Sequence, residues 1–501
     1  MPPFRALAVT ALCLTALAGG CASDPFLRVQ ISARTDLAPI YQLAVTAHRG
    51  THGSTVMVPP TPAAAPLAWP RSFALDLPDG LRGTVRIDVA GLGAGGALAA
   101  GGVASADVTA NRVYDLAVAL DPGHGSGADG PLAVDSGVHL VGLVHTVASG
   151  TSGSSTLAVA SSDGFAAGDL VLVHDSQGAA AGRWETAVVA ATQPSLLALT
   201  APLIGDYPST DRAQALRVPQ HTDVHVAAGA TLGAPAWDGQ TGGILALYAA
   251  GTVVIDGVVE MSGSGYRGAR HDAVCPMKVE CIAGLAGESP GGAGAMGPAA
   301  NGSGGGGGEA GDCNVGGGGG HGTAGSTGPG VGANATCSNA PVTHDGAGGT
   351  VAGSADLAST LLFGGAGGEG GADNDGSAPG AGGSGGGIVL LVAGTIRVNA
   401  GSVRSNGSNG GDGSGSACTV ACGEGGGGGG AGGAIWLVAN TVSLGSGQVT
   451  AGGGAGGSCA LGANCTGVSW TAMSRGGSGG AGRISVRAAA RLGSTNPPAG
   501  G

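Results

Sequence analysis

The sequence predicts a mainly β chain: an N-terminal β-sandwich, a small β module and a glycine-rich domain of stacked strands. Three observations carry this expectation. Short runs with an apolar period of two fill the region before residue 120, the texture changes after residue 137, and apolar strands repeat between glycine tracts beyond residue 240. A chain of 501 residues with 43% apolar content is long enough for two or three cores. Only 10% of residues are charged, the net charge is -12, and Lys278 is the sole lysine. No basic stripe exists to neutralise a phosphate backbone, which excludes nucleic acid as a partner. Aromatic residues make up 3%, too few to stack sugars or bases as a dedicated carbohydrate-binding module does.

Residues 1–20 read as an export signal, with Arg5 ahead of an apolar run from Ala6 to Ala18 that is too short to span a bilayer. Its end, Leu17-Ala18-Gly19-Gly20-Cys21, resembles the lipobox of bacterial lipoproteins. That resemblance implies lipidation of Cys21 and a tether over 21–25. Ala22 after the cysteine implies an outer-membrane or cell-surface destination, with plain secretion as the alternative.

Residues 26–120 hold the runs FLRVQISA, IYQLAVTAH, SFALDLPDG, GTVRIDVAGL and NRVYDLAVAL. Val85, Ile87 and Val89 point one way and Arg86 and Asp88 the other, as in a half-buried strand. An antiparallel sandwich of immunoglobulin-like or transthyretin-like type follows. Residues 121–137 read as a linker from their Gly, Pro, Asp and Ser content. Residues 138–218 read as a small barrel-like β module with Val171, Val173, Val188 and Leu197 in its core. His174 and Asp175 close a strand there, and an exposed polar strand end accounts for them as well as an active site does.

Residues 219–492 carry the repeats, before a tail over 493–501. Segments beginning at Gly242, Gly386 and Gly432 share one order: a glycine pair, an apolar strand, a Thr-led alternating strand, a small-residue strand and a glycine tract. The second and third align without a gap. Leu391 matches Leu437, Thr395 matches Thr441, Ile396 matches Val442, Val398 matches Leu444 and Val403 matches Val449. A partial copy begins at Gly479, and Val224, Val226 and Leu232 face inward in an opening coil. Such units bury their apolar faces by stacking. They resemble the coils of right-handed parallel β-helices, and the chain resembles glycine-rich bacterial surface lipoproteins with β-helix-like repeats. The interruption between Ser262 and Gly386 departs from regular coil spacing. Its tract from Asn301 to Gly322 reads as an insertion tethered at Cys313. The glycine tracts are either loops projecting from the solenoid edge or close-packed polyproline-II-like helices, which makes a polyglycine-II-containing sandwich the alternative fold.

Outside Cys13 and Cys21, the cysteines are Cys275, Cys281, Cys313, Cys337, Cys418, Cys422, Cys459 and Cys465. Their even number in an exported chain suggests disulfides. Pairing sequence neighbours would contribute about 2 kcal/mol for the shortest loops and about 3.5 for the longest, with connectivity open. His321 and His344 lack the spacing and neighbours of a metal site, and no cofactor is expected. Asp373 and Asp375 in a turn are weak calcium candidates, against a solvated Asx turn. Ser384 and Ser478 match Gly-x-Ser-x-Gly by chance in a chain with 108 glycines. Asp256 and Glu260, with Arg267 as a clamp, mimic a glycosidase acid pair. Asn301, Asn334, Asn406 and Asn464 match the glycosylation sequon, accidentally in a bacterial-looking chain.

These features point to a non-enzymatic surface lipoprotein with a structural, adhesive or matrix-contact role, anchored in the membrane and facing surface polysaccharide or envelope proteins. The alternatives are a polysaccharide-acting β-helix lyase or hydrolase and a calcium-stiffened binding protein.

Overall fold

A computed structural model describes residues 26–33, 37, 39–49, 52–76, 82–93, 98–109, 113–271, 282–310, 314–328, 345–372, 378–414, 424–459 and 475–500. The export signal, Cys21, the sequons at Asn334 and Asn464, His344, Lys278, Asp373, Asp375 and every cysteine candidate except Cys459 lie outside these residues. Cys459 itself is disulfide-bonded. The fold is mainly β, as the sequence predicts. Among the described residues no helix is long and apolar enough to cross a membrane.

The first unit contains β1 (Phe26–Ala33), β2 (Gln42–Arg49), β3 (His52–Val58), β4 (Arg71–Asp76), β5 (Gly83–Leu92), β6 (Leu98–Val108) and β7 (Val113–Pro122). They follow one path in the order β3-β2-β5-β6-β7-β1-β4. β6 and β7 share only the pairs Ala100 with Pro122 and Gly101 with Asp121, so the path folds over at that corner. Leu27, Val29 and Ile31 of one layer then meet Val45, Val85 and Ile87 of the other in a common core. Arg86, on the polar face, is nevertheless buried. It binds Asp88 and reaches Glu185 Oε2 and the Pro202 carbonyl, both at 3.0 Å, in the next unit.

The second unit is a closed barrel in the order β10-β11-β14-β13-β12-β15. Its strands are β10 (His145–Ser149), β11 (Thr156–Val159), β12 (Leu170–Asp175), β13 (Trp184–Gln193), β14 (Leu196–Leu199) and β15 (Ala213–Val218). Val171, Val173 and Leu197 fill its interior. Val188 is only half-buried, and Val189 takes the core position beside it.

The third unit is a solenoid of two parallel sheets. One has the order β25-β23-β21-β19-β17-β8, with β16 (Gln220–His221) also on β19, and the other β26-β24-β22-β20-β18-β9. Each rung contributes one strand to each sheet. The rungs are β8 (Leu132–Val134) with β9 (Gly137–Leu140), β17 (Val224–Val226) with β18 (Ala230–Gly233), β19 (Ile244–Ile255) with β20 (Val258–Glu260), β21 (Ile388–Val398) with β22 (Ser402–Arg404), β23 (Ala434–Ser443) with β24 (Val449–Thr450), and β25 (Arg483–Leu492) with β26 (Thr495–Asn496). The stretch read as a linker therefore contains the first solenoid strand. β9 also belongs to the solenoid, and the barrel is inserted between the first and second rungs.

The first halves of β19, β21 and β23 are apolar on both sides because both faces are covered, as in buried parallel sheets; β25, at the sheet edge, instead alternates Arg483, Ser485 and Arg487 with its inward apolar residues. Leu245, Leu247, Val389, Leu391, Ile435 and Leu437 fill the solenoid interior. Ile244, Ala246, Ile388, Leu390 and Val438 face outward onto Leu172 and Leu216 of the barrel and Phe363. Paired positions match the sequence repeat: Leu391 lies beside Leu437, Thr395 beside Thr441, Ile396 beside Val442, and Val403 beside Val449.

Candidate functional site

The glycine tracts between rungs are a slab of extended segments, and their hydrogen bonds explain why glycine is needed there. A three-residue-per-turn extended helix makes no internal hydrogen bonds, so successive N–H groups point in three directions and must find partners outside. Residues 364–372 show this directly. Gly364, Gly367 and Gly370 donate to Gly386, Gly383 and Gly380. Gly365, Gly368 and Gly371 donate to Gly320, Gly317 and Asn314, and Ala366, Glu369 and Ala372 to Glu288, Leu285 and Ile282. Nine successive amides are thus shared among three neighbouring segments. The segment 424–433 repeats the pattern, with Gly425, Gly428 and Ala431 on Gly371, Gly368 and Gly365, and Gly427, Gly430 and Gly433 on Gly411, Ser408 and Ser405. Such neighbours lie too close for side chains: a Cβ on Gly367 would stand 2.0 Å from the Gly428 carbonyl oxygen. The tracts are therefore ordered slab elements, not loops projecting from the solenoid edge.

The slab's margins are finished by short polar side chains at the same period of three. Asn406, Asn409 and Asp412 each turn Oδ1 onto an amide of the next segment, Gly452 at 2.7 Å, Ala455 at 2.9 Å and Ser458 at 2.7 Å. On another margin, Ser326 Oγ accepts from Ser478 N at 2.7 Å and Thr323 Oγ1 from Ala481 N at 2.8 Å. These acceptors satisfy amides that would otherwise be a free edge. Ser384 likewise caps Gly268 N at 3.1 Å. Ser384 and Ser478 therefore hold the slab together.

Barrel and slab meet at a buried network that begins at the end of β12. His174 and Ser176 are fully buried, which corrects the reading of His174 and Asp175 as an exposed strand end; Asp175 is also fully buried. His174 Nε2 donates to the Leu361 carbonyl at 2.8 Å, which leaves Nδ1 to accept from Ser176 Oγ at 3.0 Å. Gln214 Nε2 donates to the same Oγ at 2.8 Å. Burial pushes His174 down to about 4, so the ring is neutral. A hydroxyl beside an imidazole resembles a nucleophile and base, but both groups are sealed from solvent and used as donors and acceptors between units. Phe363 packs against His174, Trp237 and Tyr266 with ring centroids 5.3 to 5.6 Å apart.

Glu288 anchors the slab side. It accepts from Gln177 Nε2 at 2.8 Å, Trp237 Nε1 at 3.2 Å, and the backbone and guanidinium of Arg267. Glu369 is similarly enclosed, accepting from His271 Nδ1 and from the amides of His271 and Leu285. His321 is buried with Nδ1 donating to the Gly432 carbonyl at 2.8 Å, and burial lowers it to about 4.

The structure does not assemble the glycosidase-like trio. Asp256 Oδ2 takes His225 Nε2 and Oδ1 takes Asn399 Nδ2, both at 3.0 Å; Asn399 first and His225 second hold this carboxyl below its ordinary value. Glu260 accepts from Ser262 N at 2.8 Å and lies 4.0 Å from Arg404, while Arg267 is engaged by Glu288. Asn301 turns its Nδ2 inward onto the Gly287 and Gly292 carbonyls, and Asn406 serves in the marginal ladder. Among the described residues no group of three His, Cys, Asp or Glu side chains is placed to hold a metal ion. The Asn406, Asn409, Asp412 ladder was missed in the sequence, although its spacing of three was there to be read.

No protein-family model matches the chain, and no curated protein matches it. Among solved structures, the tailspike protein gp49 of Pseudomonas phage LKA1 aligns with 26% of this chain and 25% of its own at 18% identity and a TM-score of 0.14. The gp54 tailspike of Acinetobacter baumannii bacteriophage AP22, solved with an A. baumannii capsular saccharide, aligns with 25% of this chain and 26% of its own at 11% identity and 0.16. A leucine-rich repeat protein from Bacteroides thetaiotaomicron aligns with 35% of this chain and 20% of its own at 13% identity and 0.17. The chain spans about a quarter or less of the length of each of these structures.

Proposed function

We propose that the protein is an exported, lipid-anchored surface protein with a structural, adhesive or matrix-contact role, in which the glycine slab is a stiff, flat body fixed to the solenoid. The observation that carries this reading is the bonding of nine successive amides, Gly364 to Ala372, to three neighbours. A flexible tether has no use for such a lattice, because ordering glycine loses more backbone entropy than ordering any other residue. The resemblance at Leu17 to Cys21 implies a lipid on Cys21, and the polar margins offer contact to surface polysaccharide or envelope proteins. Cells lacking the protein are expected to lose surface attachment or show altered envelope behaviour, and the wild-type chain to restore it. Unchanged attachment and envelope behaviour on its removal would overturn the reading. Mass spectrometry of the mature N-terminus tests the anchor: a diacylglyceryl cysteine at 21 is expected, and an unmodified terminus contradicts it.

A further inference from the structure

Strand β12 alternates between two environments. Leu172 faces the slab-side cluster and Val171 and Val173 face the barrel interior, so Asp175 falls on the interior side. Neither oxygen of its buried carboxylate has a hydrogen-bond partner. The cation beside it is Arg183, with Nε 3.6 Å from Oδ2 and Nη1 committed to the Asp206 carbonyl at 2.8 Å. The other charged or titratable groups around it are Asp206 and Tyr207 before β15, Asp211 in the short 3-10 turn and Arg212 directly after it, Glu185 on β13, and His174 on its own strand. Asp206 and Asp211 oppose its ionisation, and Arg183 favours it.

Asp175 also opens the turn that seats the barrel on the slab. Its N–H donates to the Arg183 carbonyl at 2.9 Å, and its carbonyl accepts from Gly182 at 2.7 Å. Within that turn Gly178 donates to Pro290, and the Gly182 carbonyl accepts from Leu361, both at 2.8 Å. Gln177 adds its bond to Glu288.

We propose that Asp175 is a proton-operated clasp between the barrel and the glycine slab: protonated, it keeps the turn 175–183 seated, and ionised, it is relieved by the turn opening to water. A neutral carboxylic acid is far cheaper to bury than a carboxylate without hydrogen bonds. Burial raises this carboxyl to about 7 despite Arg183. Because the folded value lies above the unfolded one, the stabilisation is complete below the ordinary carboxylate range and is lost as pH rises through about 7. His174, neutral above about 4, does not change charge in this window.

Amide hydrogen exchange between pH 5 and 8, corrected for the intrinsic chemical rate, tests the clasp. Protection of the Gly178 and Leu361 amides should fall about tenfold or more over this range, while amides of Gly364 to Ala372 keep theirs. In Asp175→Asn the fall should vanish. Protection independent of pH in the wild type, or the same fall in Asp175→Asn, overturns the proposal. Should that variant not fold, Arg183→Gln serves: removal of the neighbouring cation moves the transition to higher pH, and an unmoved transition overturns the proposal.

Discussion

Replacing Gly428 with alanine sets two effects of opposite sign against each other. Elsewhere in a protein, glycine to alanine at a negative φ stabilises by about 0.4–1 kcal/mol, because the unfolded chain loses freedom. In the slab, a Cβ at 428 would stand 1.9 Å from the Gly317 carbonyl oxygen. Reaching even a tight contact of 3.0 Å requires the two segments to part by about 1.1 Å, the difference between those distances. The same segments are joined by Gly316 to Gly426 and Gly319 to Gly429, both 2.9 Å. Parting them stretches these bonds to about 4 Å, beyond hydrogen-bond reach. Two buried pairs left open cost about 1–3 kcal/mol each. The net expectation is a loss of roughly 1–5 kcal/mol, read from urea unfolding. Gly452 is the control, because a Cβ there meets only Asn406 Oδ1 at 3.6 Å; Gly452→Ala should be neutral or slightly stabilising. If Gly428→Ala falls within about 0.5 kcal/mol of the wild type, the close-packing argument is refuted.

Three other outcomes follow from the same geometry. Asn409→Ala should cost about 0.5–1 kcal/mol in thermal unfolding by uncapping Ala455 N, whereas Asn409→Asp, which keeps the acceptor, should cost less. Glu288→Ala should cost about 2–4 kcal/mol and alter Trp237 fluorescence, because buried donors on Gln177 and Trp237 lose their acceptor; an unchanged unfolding midpoint would contradict that role. His174 and His321 are both lowered to about 4, so the stability they contribute is present above about 6.5 and is lost as pH falls through about 4. NMR titration should show both rings neutral at about pH 5.5, and a protonated ring at that pH would refute the assignment.

The solenoid was legible in the sequence because its repeat is a register. Aligned residues of the repeats, such as Leu391 and Leu437, are the ones that pair, and the double-faced apolar halves of β19, β21 and β23 follow from coverage on both sides. The first rung was hidden because β8 and β9 together are only seven residues, and the barrel separates them from the second rung. The slab was legible only as two alternatives. Its order depends on neighbours such as Gly368 and Gly317, far apart in the chain, and identical glycines do not reveal which tract meets which. The setting of Asp175 was misread for a related reason. Strand alternation gives its direction, but its enclosure comes from Arg183, Tyr207 and the turn against Pro290 and Leu361, contacts that no local pattern encodes.

The central claim is that the glycine tracts are ordered by mutual hydrogen bonds, and amide hydrogen exchange across residues 301–308 and 364–372 tests it most directly. Slow exchange is expected throughout Gly364 to Ala372, including at glycines with no side chain to shield them, and at Gly305 to Gly308, which donate to Ala366, Ala347, Gly297 and Glu369. Exchange at the rate of an unstructured peptide across both tracts would contradict the lattice and, with it, the structural role proposed for the protein.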